Sequence, residues 1–171
     1  MSLADAATES PFPIPRGLAL ALAAIGPVAI GGIFAAKAGV ATPLAVAPAI
    51  VFGVLAATSP ALYIAIAATG DAPPAGRVAR ALAVGLGAFG IALAGLVMPA
   101  AFLSLSSLSP VTTVAMTSLA LGGAALLGFR RLARELATRS PAAVVILWVW
   151  AIATIGIAGR LWWDLAAEVM S

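Results

Sequence analysis

From Ala81 to Phe129 the chain carries no Asp, Glu, Lys or Arg. One helix crosses the ~30 Å hydrocarbon core of a bilayer with about 20 apolar residues, so this run is too long for a single crossing and long enough for two. Three further uncharged runs, Gly17–Ala36, Ala38–Gly70 and Ser140–Gly159, flank it. A soluble fold could not hide that much apolar surface: 63% of the residues are hydrophobic and 9% charged, against about 25% charged in an ordinary soluble domain. The runs are apolar on every face, whereas a transmembrane strand alternates with a period of two over about ten residues. The sequence therefore predicts an all-α, polytopic membrane helix bundle.

Helix breakers divide the apolar runs. Lys37 and the turn "KAGVATP" end a first span at about 17–36 and precede a second at about 44–69. "GDAPPAGR" is a polar loop rich in Pro and Gly, after which a third span runs over about 78–103. "SLSSLSP" splits the longest run, because its serines suit a loop and Pro110 suits the first position of a new helix. A fourth span follows at about 110–129 and a fifth, after Pro141, at about 142–162. The expected organisation is a polar tail with three prolines over 1–16, a transmembrane domain over 17–163 and a short outer tail over 164–171. The tail lacks the basic start, short apolar core and cleavage site of a secretory signal.

Five spans group the cations. Arg16, Arg77, Arg80, Arg130, Arg131, Arg134 and Arg139 fall on one face, and only Lys37 and Arg160 on the other. Short cytoplasmic loops concentrate Lys and Arg, which places the amino terminus in the cytoplasm and the carboxyl terminus outside. The location expected is a cell membrane, crossed several times, of the bacterial inner-membrane kind. The arginines also offer contacts to anionic lipid headgroups, each surface cation adding roughly 1 kcal/mol toward an anionic leaflet, or to an acidic partner. "RRLARELATR" can carry the fourth helix beyond the membrane, with Arg131 and Glu135 one turn apart.

Few side chains could carry chemistry. The chain has no Cys and no His, which removes disulfides, thiolate and imidazole metal ligands, a histidine base and an axial histidine for haem. No acid stands between Asp71 and Glu135, so a midplane proton relay lacks its usual carboxylate. No catalytic or phosphate-binding motif is present. The expectation is no enzyme, no cofactor, no metal and no nucleic-acid partner. Lys37 could form a Schiff base, but snorkelling to the interface is the ordinary fate of a lysine at a span end. "GRLWWDLAAE" places Arg160 and Asp164 one turn apart, with Trp162 and Trp163 as interfacial anchors. Pro27, Pro48, Pro60 and Pro99 kink helices and free carbonyls, as in the broken helices of some transporters; Thr58, Ser59 and Tyr63 stand near Pro60 to take up freed groups or face a cavity. Gly85, Gly90 and Gly95 in the third span, with Gly122, Gly123 and Gly128 in the fourth, are helix-contact positions, serving either the chain's own packing or another subunit.

The pattern resembles the Yip1-type five-span membrane family. The resemblance lies in closely spaced spans after a polar, proline-containing tail, in Gly26-Pro27, in "PALY" at Pro60–Tyr63, in "GRV" at Gly76–Val78 and in Pro99 near the end of the third span. It implies a non-enzymatic membrane protein. Eukaryotic members act in trafficking and bind small GTPases, but the long amino-terminal domain of that family is not in this sequence, and GTPase binding is not carried over. The functional expectation is a non-catalytic scaffold or accessory subunit of a membrane complex, with other membrane subunits as partners. The alternative is a small oligomeric transporter or channel with the proline-kinked helices lining its path.

Overall fold

A computed structural model describes residues 16–70, 73–107, 109–136 and 140–170. The tail over 1–15, Arg139, part of the 70–77 loop and Ser171 lie outside the described residues. Those described form five helices and no strand: α1 Arg16–Ala38, α2 Thr42–Ala67, α3 Ala75–Ser106, α4 Pro110–Leu136 and α5 Pro141–Met170. Four of them, α2 to α5, are long and apolar enough to cross a membrane, whereas the apolar stretch described for α1 is the shorter Ala23–Ala38.

The ends of the helices follow local chemistry. Proline opens α4 and α5 and stands within the first two positions of α2, where its missing N–H has no intrahelical partner to lose. Gly39 and Gly70, at φ +70° and +80°, stand just past α1 and α2, and this left-handed conformation is the one glycine adopts at a helix end without strain. The helices run unbroken through Pro27, Pro48, Pro60 and Pro99. At Pro60 the carbonyl left without its N–H donor is that of Ala56, and the Ser59 hydroxyl donates to it at 3.2 Å.

α4 continues to Leu136, as its charged extension allows. Residues 164–170, expected as a short outer tail, are helical and continue α5 to Met170. No Pro or Gly follows Gly159 to stop it, and the Arg160–Asp164 ion pair spans one of its turns at 3.1 Å.

The helices pack as a ring in the order α4, α3, α1, α2, α5. The α3–α4 hairpin is its tightest seam, because Gly85 and Gly128 let two backbones meet. A Cβ on Gly128 would lie 2.9 Å from the Gly85 carbonyl oxygen, and one on Gly85 3.1 Å from that of Gly128. In lipid there is little hydrophobic drive between helices, so such close approach is what holds them. Gly26 meets Leu93 of α3 in the same way, with 2.9 Å between its added Cβ and the leucine side chain, and Gly31 faces the Pro43 carbonyl of α2. Two apolar clusters lie along the ring. Near one end, Leu62 and Ile66 of α2 join Val78, Ala81, Leu132, Leu136 and Leu147; near the other, Ile30, Ile33 and Phe34 of α1 pack with Phe89, Leu93, Ala100, Ala120, Ala124 and Ala166.

Contacts fix which ends go together. The Lys37 ammonium donates to the Ser107 carbonyl, joining the carboxyl ends of α1 and α3, and Phe34 meets Trp162 edge to face at 4.9 Å near the carboxyl ends of α1 and α5. Successive helices therefore alternate in direction, and Arg77, Arg80, Arg130, Arg131 and Arg134 share the end opposite Lys37 and Arg160.

Candidate functional site

The ring does not close between α4 and α5, which make sparse contact, and a chamber of about 330 Å³ lies inside it. That volume falls within the range of small-molecule sites, about 300–1,000 Å³. All five helices contribute to its wall, α1 through Pro27. Two side-chain links join α4 to α5, one toward each end. Trp162 donates its indole N–H to the Ser118 hydroxyl at 2.9 Å, and Trp148 meets Phe129 edge to face at 4.8 Å. Between them the helices present small residues, Gly122 and Ala125 on α4 facing Ala158 and Gly159 on α5. A Cβ added at Gly122 or Gly159 would meet nothing within 4 Å.

The polar groups of the wall are taken up by the protein. Trp150 donates to the Thr58 carbonyl at 2.9 Å, the Thr154 hydroxyl donates to that of Thr58 at 3.3 Å, and Thr58 donates in turn to the Val54 carbonyl at 2.9 Å. Indole has one donor, so the ring surfaces of Trp150 and Trp162 left toward the chamber are apolar. Interhelical hydrogen bonds of this kind contribute about 0.6 kcal/mol, at most about 1.7. Trp150→Phe is accordingly expected to lower stability by that amount in a dodecyl sulfate unfolding titration followed by circular dichroism. An unchanged midpoint would mean that the indole bond does not hold α5 to α2.

The basic end is a separate feature. Arg77, Arg80 and Glu135 line a shallow cleft of about 250 Å³ between α3 and α4. Arg131 pairs with Glu135 at 3.3 Å along α4, and Arg130 and Arg134 are exposed. These groups stand together at one end of α3 and α4.

The remaining predicted residues divide. Arg160 and Asp164 form their pair on the outside of the bundle, with side chains 74% and 53% exposed. Of the two tryptophans expected as interfacial anchors, Trp163 is exposed, whereas Trp162 turns into the bundle against Phe34 and Ser118. Adjacent helical residues point about 100° apart, so two neighbouring tryptophans cannot share one environment. Lys37 binds the carbonyl of Ser107, the residue that caps the carboxyl end of α3, where a cation also meets the negative end of the helix dipole. Gly85 and Gly128 make close contacts, Gly90 is buried, Gly123 has ordinary room beside Leu96 at 3.5 Å, and a Cβ added at Gly95 or Gly122 would meet open space.

The sequence reading missed the chamber. Its signal was the stripe Trp150, Thr154, Ala158, Trp162 at helical spacing, which sets one indole at mid-span, away from the interfacial belt where tryptophan usually sits. No protein-family model matches the sequence, and neither a curated protein nor a solved structure matches it.

Proposed function

We propose that the chain is a non-catalytic integral membrane protein that acts as a scaffold or accessory subunit of a membrane complex. In this reading α1 is a fifth span, the arginine-rich end lies in the cytoplasm against anionic headgroups, the carboxyl end lies outside, and the host is a bacterial inner membrane.

The observation that carries the reading is the glycines that the chain's own packing leaves unused. Gly95 and Gly156 are exposed, and a Cβ on either would meet nothing within 4 Å. A glycine inside a helix lowers stability by about 0.5–1 kcal/mol relative to alanine, and one on an exposed apolar helix face leaves room for a helix outside the chain to approach closely. Gly156 belongs to α5, which is exposed along much of its length, Val149, Ile152 and Ile157 included. A helix of another subunit would rest there.

The transporter reading has less support. The apolar clusters lie toward both ends of the chamber, which disfavours an aqueous path through it, and of the four kinking prolines only Pro27 belongs to the chamber wall.

Gly156→Leu is expected to fold normally yet lose the proteins that co-purify with the parent chain in mild detergent, while Lys37→Gln keeps them. A parent chain that elutes alone from its native membrane, or a Gly156→Leu chain that keeps every companion, would make the reading wrong.

A further inference from the structure

The geometry points to the chamber as a binding site for a lipid acyl chain, entered sideways through the seam between α4 and α5. The argument begins with access. Both helices are long and apolar enough to cross a membrane, and the seam lies between their two aromatic links, Trp162–Ser118 and Trp148–Phe129. From Ser118 to Phe129 is about 16 Å of helix at 1.5 Å per residue, so the opening faces the hydrocarbon layer. Toward one end, Leu62, Leu132 and Leu147 converge from α2, α4 and α5; toward the other, Phe34 and Trp162 meet. What enters must come from the bilayer itself.

The wall selects for hydrocarbon. Its indole N–H groups and the Thr154 hydroxyl are already bonded within the protein, and an apolar cavity does not hold water well. A flexible methylene chain suits a long space between helices better than a rigid ring would. The glycines at the rim keep the entrance open, since Gly122 and Gly159 leave vacant the space that any side chain would fill. This inference does not depend on the scaffold reading, because the site is complete within one chain.

The test uses the chamber's own fluorophores. In a Trp148→Phe/Trp163→Phe background, Trp150 and Trp162 report alone. Reconstituted into vesicles of phosphatidylcholine brominated at mid-chain, that protein should show strong quenching. Gly122→Leu or Gly159→Leu should lower the quenching by half or more, with helicity and elution unchanged. Gly53→Leu, an equally open position on α2 outside the chamber, should leave it as it was. Equal quenching in all variants overturns the proposal, as does an unquenched parent, the result a partner helix lodged in the seam would give. A second measurement needs no variant: native mass spectrometry after detergent exchange should show phospholipid retained on the parent chain, and a bare chain would count against the site.

Discussion

Gly31→Val is expected to leave little correctly packed protein, whereas Gly53→Val, on the next helix, is expected to behave like the parent. At Gly31 the added side chain meets the Pro43 carbonyl and the Leu44 backbone, with 3.0 Å to the Leu44 Cα. Neither can rotate away, and both belong to the first turn of α2, which the three residues 39–41 tie to α1. Overpacking of a well-packed site costs about 1–3 kcal/mol, occasionally more, and here the clash is with backbone, so the upper part of that range applies. Around Gly53 there is nothing within 4 Å. Unfolding midpoints in dodecyl sulfate, with elution profiles in mild detergent, would separate the two. Equal midpoints would mean that α1 and α2 do not approach each other as described. Gly128→Ala should fall between them, its methyl meeting the Gly85 carbonyl and the Phe89 Cβ, both at 2.9 Å.

Single cysteines should report topology in an all-or-none way, since the chain has none of its own. Ala41→Cys and Ser109→Cys stand at the end that Lys37 and Ser107 bind together, and both should react with an impermeant maleimide added to intact cells. Ala75→Cys and Ser140→Cys stand at the other end and should react only after the membrane is opened. The orientation is the one that keeps the arginines inside. Labelling of Ala75→Cys and Ala41→Cys from the same side would remove α2 as a span, and complete inversion would mean that the arginine bias does not set this topology.

The class of fold was legible because it depends on local facts: uncharged length, breakers and proline at helix starts. Pro110 and Pro141 open α4 and α5 as read, and α3 and α4 are divided at the serines. The helical state of residues 164–170 was not anticipated, although no Pro or Gly stands near them to stop a helix. Which glycine touches what was not legible. Gly26 and Gly31 make close approaches as tight as those of Gly85 and Gly128, yet no spacing in α1 marks them, since the partner lies on another helix. The chamber was hidden for the same reason: it is the space between faces, and a sequence gives each face singly.

The ring order has a consequence for assembly. The α1–α2 and α3–α4 pairs join neighbours in the chain, so each hairpin can form soon after its second helix enters the bilayer. α5 packs chiefly on α2, a partner that entered the membrane well before it, and long sequence separation slows such pairing. Of the five helices α5 therefore adds its wall after the other four already stand in the bilayer. The first contents of the interior are then molecules of the membrane in which the helices assemble, and the open α4–α5 seam lets them exchange with the bilayer afterwards.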